Sequence, residues 1–550
     1  MQRVIRKILW VFLAVLCVSA EVAAADSVIR GVVTDSAGKP LQGVIVKAQM
    51  GDKIIARYSQ KDGKYELTVP AGTYDVVADL FGYGLKSASK DASQAGEVNF
   101  SLAPRLDITR LTGSDIAQLI PDDNHTRYVE RTCIICHDFS VVMRHRGFTA
   151  DEWQAFLPNM TGGRRPNPKF NQEELVALSA TLGKYFGPDA PYFGPNSQPP
   201  TVAQIKHPPL ADAALSATIR EYKIPTGLDA MPHSIFVDPT NNNNVYFGEL
   251  GSRANKLGYF NVQTEQIKEY QTNGGPHTMA ASPDGTIWAT GAGGQGVGVT
   301  SFNPQTGEIK YIPSPDAQGG GGGHTVRMDK TGLLWFSSLG TNVIRSYNTK
   351  TGTWKDYKFP TPFMTPETLA NGKKLEADEE GSGSPGTYDV DLDSKGNVWA
   401  DVYSYGIIVK LDPETGATKE YTAPKIPGFV PQVRGIKVDS HDNVWFACFQ
   451  GHKLGKFDPK TEKFTMYQPP SPDAAPYGIE EDLKTGYLWY GDVTSGNVTR
   501  FDPKTEKFVE YQTPTHAISR FVSVDDKSRV WFTDYFGGRI GVVDPGNGGK

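Results

Sequence analysis

Apolar and polar residues alternate in short runs along most of the chain, and the period of that alternation changes twice. Between residues 27 and 103 the period is two: Tyr65, Leu67 and Val69 alternate with polar neighbours, as one buried face of a strand requires. Val28-Ile29-Arg30-Gly31-Val32-Val33, Val44-Ile45-Val46 and Val76-Val77-Ala78 are further apolar runs of strand length. Turn formers separate them: Asp35-Ser36-Ala37-Gly38, Asp62-Gly63 (a favoured hairpin dipeptide) and Pro70-Ala71-Gly72-Thr73-Tyr74. From about residue 107 the period becomes helical. Thr149-Ala150-Asp151-Glu152 is a capping box that opens a helix carrying Trp153, Phe156 and Leu157. A second helix start falls at residues 171–174, after which Leu175, Leu178 and Leu182 share one face.

From residue 217 the strand pattern returns and repeats. Aromatic anchors at Tyr246, Trp288, Trp335, Trp399, Trp445, Trp489 and Trp531 are separated by 42, 47, 64, 46, 44 and 42 residues. The long interval contains a polar insertion, 361–387. Each unit has an inner strand, an Asp-x-x-Gly-type turn, the aromatic strand, a strand ending in Asp-Pro or a variant, and a closing strand. Four short strands at this period predict propeller blades. The seventh unit stops at Val542-Val543-Asp544-Pro545, one strand short, and Ala217-Thr218-Ile219-Arg220-Glu221-Tyr222 is expected to complete it and close the ring.

Composition supports this reading. The 58 glycines and 38 prolines favour a turn-rich, mainly β protein, and 550 residues exceed one core. A net charge of −5 without a basic cluster argues against nucleic-acid binding. The first 25 residues predict a cleaved signal peptide: Arg3, Arg6 and Lys7, an apolar run over 8–18, and Ala23-Ala24-Ala25 before Asp26. The alternative is an uncleaved anchor, although the run is short for a membrane span. A periplasmic or secreted protein with no membrane span in its mature form is therefore expected. After cleavage three cysteines remain, Cys133, Cys136 and Cys448, too few for a disulfide scaffold.

Two of these three stand in Cys133-Ile134-Ile135-Cys136-His137. Two thiols at this spacing can add to the vinyl groups of a haem while the adjacent His137 binds the iron. A zinc site would need a second cysteine pair, and a thioredoxin-like site a βαβ context. One covalent haem c is the expected cofactor, with an electron-transfer protein as its expected partner. Met160 is the candidate second axial ligand, with His145 and His125 as rivals. Residues 191–215, rich in proline, predict a semi-rigid spacer.

Three family resemblances follow. Gly31-Val32-Val33, Gly38-Lys39-Pro40-Leu41, Asp62-Gly63-Lys64-Tyr65 and Ala71-Gly72-Thr73-Tyr74 resemble the carboxypeptidase regulatory-like family, which implies a transthyretin-like β-sandwich without catalysis. The C-x-x-C-H motif, Trp153, Met160 and a closing helix through Tyr185 resemble a small α-helical cytochrome c domain. Pro232-His233-Ser234-Ile235, Pro276-His277-Thr278-Met279, Val444-Trp445-Phe446 and Val530-Trp531-Phe532-Thr533 resemble the streptogramin B (virginiamycin B) lyases. That family opens a cyclic depsipeptide by elimination with Mg, a His and Glu residues. Its Glu two places before the histidine is replaced here by Gly275 and Met231. The implied order is a signal peptide (1–25), a β-sandwich (26–104), a haem domain (105–190), a linker (191–215) and a seven-bladed propeller (216–550).

The seven inner-strand starts read His233, His277, His324, Tyr388, Arg434, Tyr477 and Arg520, and should face the channel at one mouth. His233, His277 and Glu249 are expected to bind a divalent metal such as Mg. His277, Glu249 and His324 are the expected catalytic groups, with a glycine run, 319–323, as a flap beside His324. Three functions fit: redox-linked binding or conversion of a small molecule, a metal-dependent lyase with an accessory cytochrome, or a non-catalytic binding scaffold.

Overall fold

The computed structural model describes residues 26–121, 129, 138–160, 172–251, 254–292, 298–315, 323–339, 341–361, 386–402, 405–427 and 432–546. The expected signal peptide, His125, Cys133, Cys136 and His137, most of the glycine flap and most of the 361–387 insertion lie outside these residues.

The alternating N-terminal runs form two sheets. Ser27–Asp35 lies between Lys64–Val69 and Phe100–Leu102, and Ile45–Met50 lies between Lys53–Tyr58 and Thr73–Asp79, with Lys86–Asp91 beyond. Tyr65, Leu67 and Val69 are buried on alternate positions as expected, packing with Ile29, Val46, Ala48 and Val76. The expected hairpin at Asp62-Gly63 does not form. Gly63 takes φ +75° in a tight turn, but the strands on either side enter different sheets. The apolar faces of both strands are buried better by facing each other across a sandwich than by pairing edge to edge.

Seven four-stranded units follow in a ring. We number the blades from their inner strands: Pro232–Val237, Gly275–Ala281, Gly323–Met328, Thr387–Leu392, Val433–Val438, Pro476–Asp482 and Val522–Val524. Each inner strand packs on the next, and Val522–Val524 packs on Pro232–Val237, which closes the circle. Thr218–Lys223 pairs with Arg539–Asp544 to complete blade 7, as the missing-strand argument requires. The same strand also pairs along its other edge with Lys53–Tyr58 of the sandwich. Blade 7 and one sandwich sheet are therefore a single eight-stranded sheet, and the outer edge of that blade is covered. Tyr58 and Ile45 pack with Trp489, Tyr511 and Val543 behind this junction.

The repeated aromatic anchors owe their position to a local clasp. The indole N–H of Trp335, Trp399, Trp445 and Trp531 donates to the turn carboxylate six residues earlier: Asp329, Asp393, Asp439 and Asp525, at 2.7–3.1 Å. Ser282 takes that place for Trp288 at 3.2 Å. In blade 6 the corresponding residue is Leu483, which is exposed and offers no acceptor.

The helical segment packs Trp153, Leu178, Leu182 and Phe186 into one cluster. Thr149 and Glu152 form the expected reciprocal cap, and the long helix runs Gln172–Phe186. The proline-rich stretch is docked rather than a free spacer. Phe193 and Ile205 enter the helical cluster, and Ala214 and Leu215 enter the junction cluster. His207 contacts Asp115 at 3.0 Å and stacks on Phe81. No helix among the described residues is long and apolar enough to cross a membrane.

Candidate metal centre

The residues that line the propeller mouth occupy the same irregularity in successive blades. In blades 1 to 6 the inner strand slips register against its neighbour, and the skipped positions are His233, 277–278, 324–325, 388–389, 434–435 and 477–478. A bulge removes a residue from the ladder and re-aims its side chain. Repetition of the bulge gathers His233, His277, His324, Tyr388, Arg434 and Tyr477 at one end of the channel.

In blades 2 to 4, side chains of the second strands satisfy backbone N–H groups that these bulges release. Thr290 accepts from Thr278, Ser337 from Thr325, and Asp401 from both Tyr388 and Asp389, at 2.6–3.1 Å. Thr290 and Ser337 donate onward to the carbonyls of His324 and Tyr388 in the next blade, both at 2.9 Å. The ring is therefore fixed across blade boundaries as well as within blades. Met231, just before blade 1, holds a left-handed backbone at φ 42° and ψ 61°. That conformation costs a non-glycine residue about 1 kcal/mol, and it lies at the entrance to His233.

The three histidines are buried and converge. Their ring centroids stand 4.8, 5.2 and 4.7 Å apart, and one ligand atom from each lies within 4.8 Å of the others. Three nitrogens around one tetrahedral ion sit about 3.4 Å apart, so the rings would have to close by about an ångström to hold one. His324 Nδ1 lies 2.9 Å from the carbonyl of Tyr388, which favours the Nδ1–H tautomer and leaves Nε2 as ligand atom. Burial, then His277, Arg520 and Arg434, push the His324 pKa well below its usual value, against the Tyr388 contact. This imidazole is neutral at neutral pH, the form that binds a metal.

Aromatic and cationic groups surround the triad. Tyr477 Oη is 3.4 Å from His233 Nε2 and hydrogen-bonds the hydroxyl of Tyr388. Phe521 lies 5.5 Å from His233, and the guanidinium of Arg520 stacks 3.9 Å from the Tyr535 ring. Arg434 stacks 4.3 Å from Phe449. Phe449, Phe521 and Tyr535 carry no repeat signal that singles them out. Only the position of Phe521, directly after the ring residue Arg520, could have pointed to one of them.

Glu249 does not join this group. It ends the second strand of blade 1 opposite Lys256, and its charged neighbours are Lys256 and Glu269. Neither carboxyl oxygen accepts a hydrogen bond of ordinary geometry, although Thr226 and Glu269 are close. Burial first, then Glu269, raises its pKa to about 8, against Lys256. Among the described residues the three histidines form the group, and Glu249 is buried outside it, beside Lys256 and Glu269.

The helical segment lies across this mouth. Val141 packs into the cluster of Tyr388, Phe449, Tyr477, Phe521 and Tyr535. Ser114 N donates to Thr494 O at 2.9 Å, beside the start of the blade 6 inner strand. Met160 packs against the helical core, while His145 sits among Phe148, Trp153 and Phe156 with its pKa lowered by burial and Arg144. A cavity of about 410 Å³ lies elsewhere, between sandwich, linker and blade 6, with Phe81, His207 and Glu510 in its wall. His207 there faces Asp115 and Glu510 accepts from Ser471, so its polar groups are engaged in holding the units together.

Comparison with known proteins gives two family matches. Residues 28–103 match the carboxypeptidase regulatory-like domain, and residues 378–548 match the virginiamycin B lyase family. Neither match covers residues 104–377. Among solved structures, a streptogramin B lyase is 21% identical with a TM-score of 0.51, over 61% of this chain and 99% of that one. Virginiamycin B lyase from Staphylococcus aureus is 20% identical with a TM-score of 0.49, over 60% and 99%. A catalytically inactive form of that protein with quinupristin is 19% identical with a TM-score of 0.48, over 60% and 99%. At such identities the likeness is one of fold. No curated protein matches the chain.

Proposed function

We infer that this chain is an exported c-type haem protein whose propeller mouth holds a transition-metal ion on His233, His277 and His324. It converts a small molecule there in a redox-linked reaction, with a separate protein as electron partner. The observation that carries the reading is the buried three-imidazole cluster, with ligand atoms within 4.8 Å, in a chain whose sequence also carries C-x-x-C-H at 133–137. His137, the last residue of that motif, is four positions before Val141, which packs into the mouth.

The donor set decides which ion fits. Three neutral imidazoles suit Zn, Cu, Fe or Ni, whereas Mg prefers oxygen ligands. Mg is therefore the poorer candidate for this site. A bound ion supplies Lewis acidity or a redox centre. The protein's part is to keep His324 neutral and oriented through Tyr388, to hold His233 beside Tyr477, and to exclude water with aromatic walls.

The helical segment fits a haem in one respect. Trp153 Nε1 is buried without a hydrogen-bond partner among the described residues, and a haem propionate is an acceptor that would satisfy it. Cys133 and Cys136 would hold the haem, His137 would ligate the iron, and Met160 or His145 would supply a further ligand. Haem supplies one-electron transfer.

The second reading, a metal-dependent lyase, is favoured by the family match at 378–548. Against it stand Gly275 and Met231, where a carboxylate would be needed, and the separation of Glu249 from the histidines. Elemental analysis of the purified full chain, with a pyridine haemochrome spectrum, tests the reading. One covalent haem and one non-haem transition metal per chain are expected, the metal alone being lost in His233→Ala/His277→Ala. Haem without a second metal would leave only the scaffold function. Mg as the resident ion would favour the lyase.

A further inference from the structure

The outermost strands of blades 1 and 6 each carry a glutamate clasped by a hydroxyl residue from the loop before the blade. Glu269, on Gln266–Gln271, accepts from the backbone N–H and the hydroxyl of Thr226 at 3.0 and 2.8 Å. Glu510, on Lys507–Gln512, accepts from the same two groups of Ser471 at 3.0 and 2.9 Å. The neighbouring strand differs. Lys256 stands opposite Gln271 in blade 1 and Asn497 opposite Gln512 in blade 6, so the register makes them equivalent. Lys256 Nζ donates to Glu269 at 2.9 Å and to the Thr226 hydroxyl at 2.7 Å. Asn497 Nδ2 lies 3.5 Å from the Ser471 hydroxyl and brings no charge. Blade 4 repeats the clasp with Glu420 and Thr361, but apolar Ile407 fills the lysine's place. In blade 6 that place is polar, and Ser471, Asn497 and Glu510 all line the cavity of about 410 Å³ between sandwich, linker and propeller.

We propose that this cavity binds a small organic molecule bearing a primary ammonium group on an apolar body. The ammonium takes in blade 6 the place that Lys256 Nζ holds in blade 1, donating to Glu510 and to the Ser471 hydroxyl. Each oxygen of Glu510 accepts one bond from Ser471 and keeps a lone pair for a charge-assisted partner. Phe81, Leu210, Pro470 and Phe508 form an apolar wall for the body, and both rings are only half-buried. The volume and the position at a junction of units suit a small ligand. Among the described residues of the wall, Glu510 is the one carboxylate and there is no lysine or arginine. His207, the one imidazole, faces Asp115 at 3.0 Å. An anion would therefore meet a carboxylate, and a neutral polyol would leave that carboxylate without a counter-charge. Against burial, Lys256 and Thr226 hold Glu269 below the usual carboxylate range. Burial, with Asp492 adding to it, lifts Glu510 to about 7, against Ser471 and His207. The site is independent of the histidine triad and of the haem.

Calorimetric titration of the purified full chain at pH 8 with 2-phenylethylamine, 2-phenylethanol, 3-phenylpropanoate and cellobiose tests the proposal. Saturable binding of the amine is expected, with the alcohol weaker by about tenfold or more and the carboxylate and the sugar not bound. Glu510→Gln should weaken the amine by a similar factor. Asn497→Lys, which restores the cation that blade 1 has, should abolish amine binding while the unfolding midpoint stays at or above wild type. Should Glu510→Gln fail to fold, Asn497→Lys and the amine–alcohol comparison in wild type still decide. No saturable amine binding, equal affinity for amine and alcohol, undiminished amine binding in Asn497→Lys, or binding of cellobiose in place of the amine overturns the proposal.

Discussion

In blades 1 to 6 of the propeller each candidate side chain at the mouth occupies the same bulged position of a repeated unit; in residues 105–190 each candidate occurs once. Repetition means that one local device, a register slip (with a polar side chain beneath it in blades 2 to 4), places His233, His277, His324 and Tyr388 together without a dedicated loop for each. The chemistry then varies around a constant backbone, from imidazole over blades 1–3 to phenol and guanidinium over the rest. The helical segment has no such redundancy. Its expected chemistry depends on three residues, Cys133, Cys136 and His137, so it should fail all at once where the mouth fails by degrees.

The largest effect should come from Cys133→Ala/Cys136→Ala. Covalent haem is expected to vanish from the denatured protein, while the propeller keeps its metal. Loss of both would show that the two regions are one cooperative unit. Retention of covalent haem would contradict the motif reading.

Glu249→Gln probes the buried interior of blade 1. The folded-state pKa of Glu249 is raised to about 8, so its protonated form is stabilised in the fold. Its contribution is full below the unfolded value near 4.5 and is lost as pH rises to 8. The amide variant should match wild type near pH 5. Near pH 8 it should be more stable by a few kcal/mol, read as a higher melting temperature. An equal difference at both pH values would contradict the burial argument.

Asp439→Ala should have the smallest effect. It leaves the buried Trp445 indole without its 2.7 Å acceptor and removes the turn cap, at a cost of about 1–3 kcal/mol. Denaturant unfolding measures this, and metal content should be unaffected because the clasp lies outside the mouth.

What could be read from the sequence follows the same division. The blade count and the closing role of Thr218–Lys223 were legible because the aromatic period and the missing strand are written in the chain. The convergence of the three histidines was legible because they hold one equivalent place in three successive repeats. The sandwich pairing of that closing strand was not, since no residue of Lys53–Tyr58 marks it for a partner some 165 residues away. Glu249 misled because position along a strand does not say which surface a side chain meets. Its true neighbours, Lys256 and Glu269, come from the two strands beyond it. The docked linker misled because proline content predicts stiffness and says nothing of what Phe193, Ile205 and Leu215 bury.

The central claim is that the haem-bearing segment and the three-histidine centre work together. Dipolar electron paramagnetic resonance on the full chain, with oxidised haem and Cu(II) in the triad, tests it most directly. Mutual broadening of the two signals is predicted, disappearing in His233→Ala/His277→Ala. Two independent, unperturbed signals from fully loaded protein would contradict it.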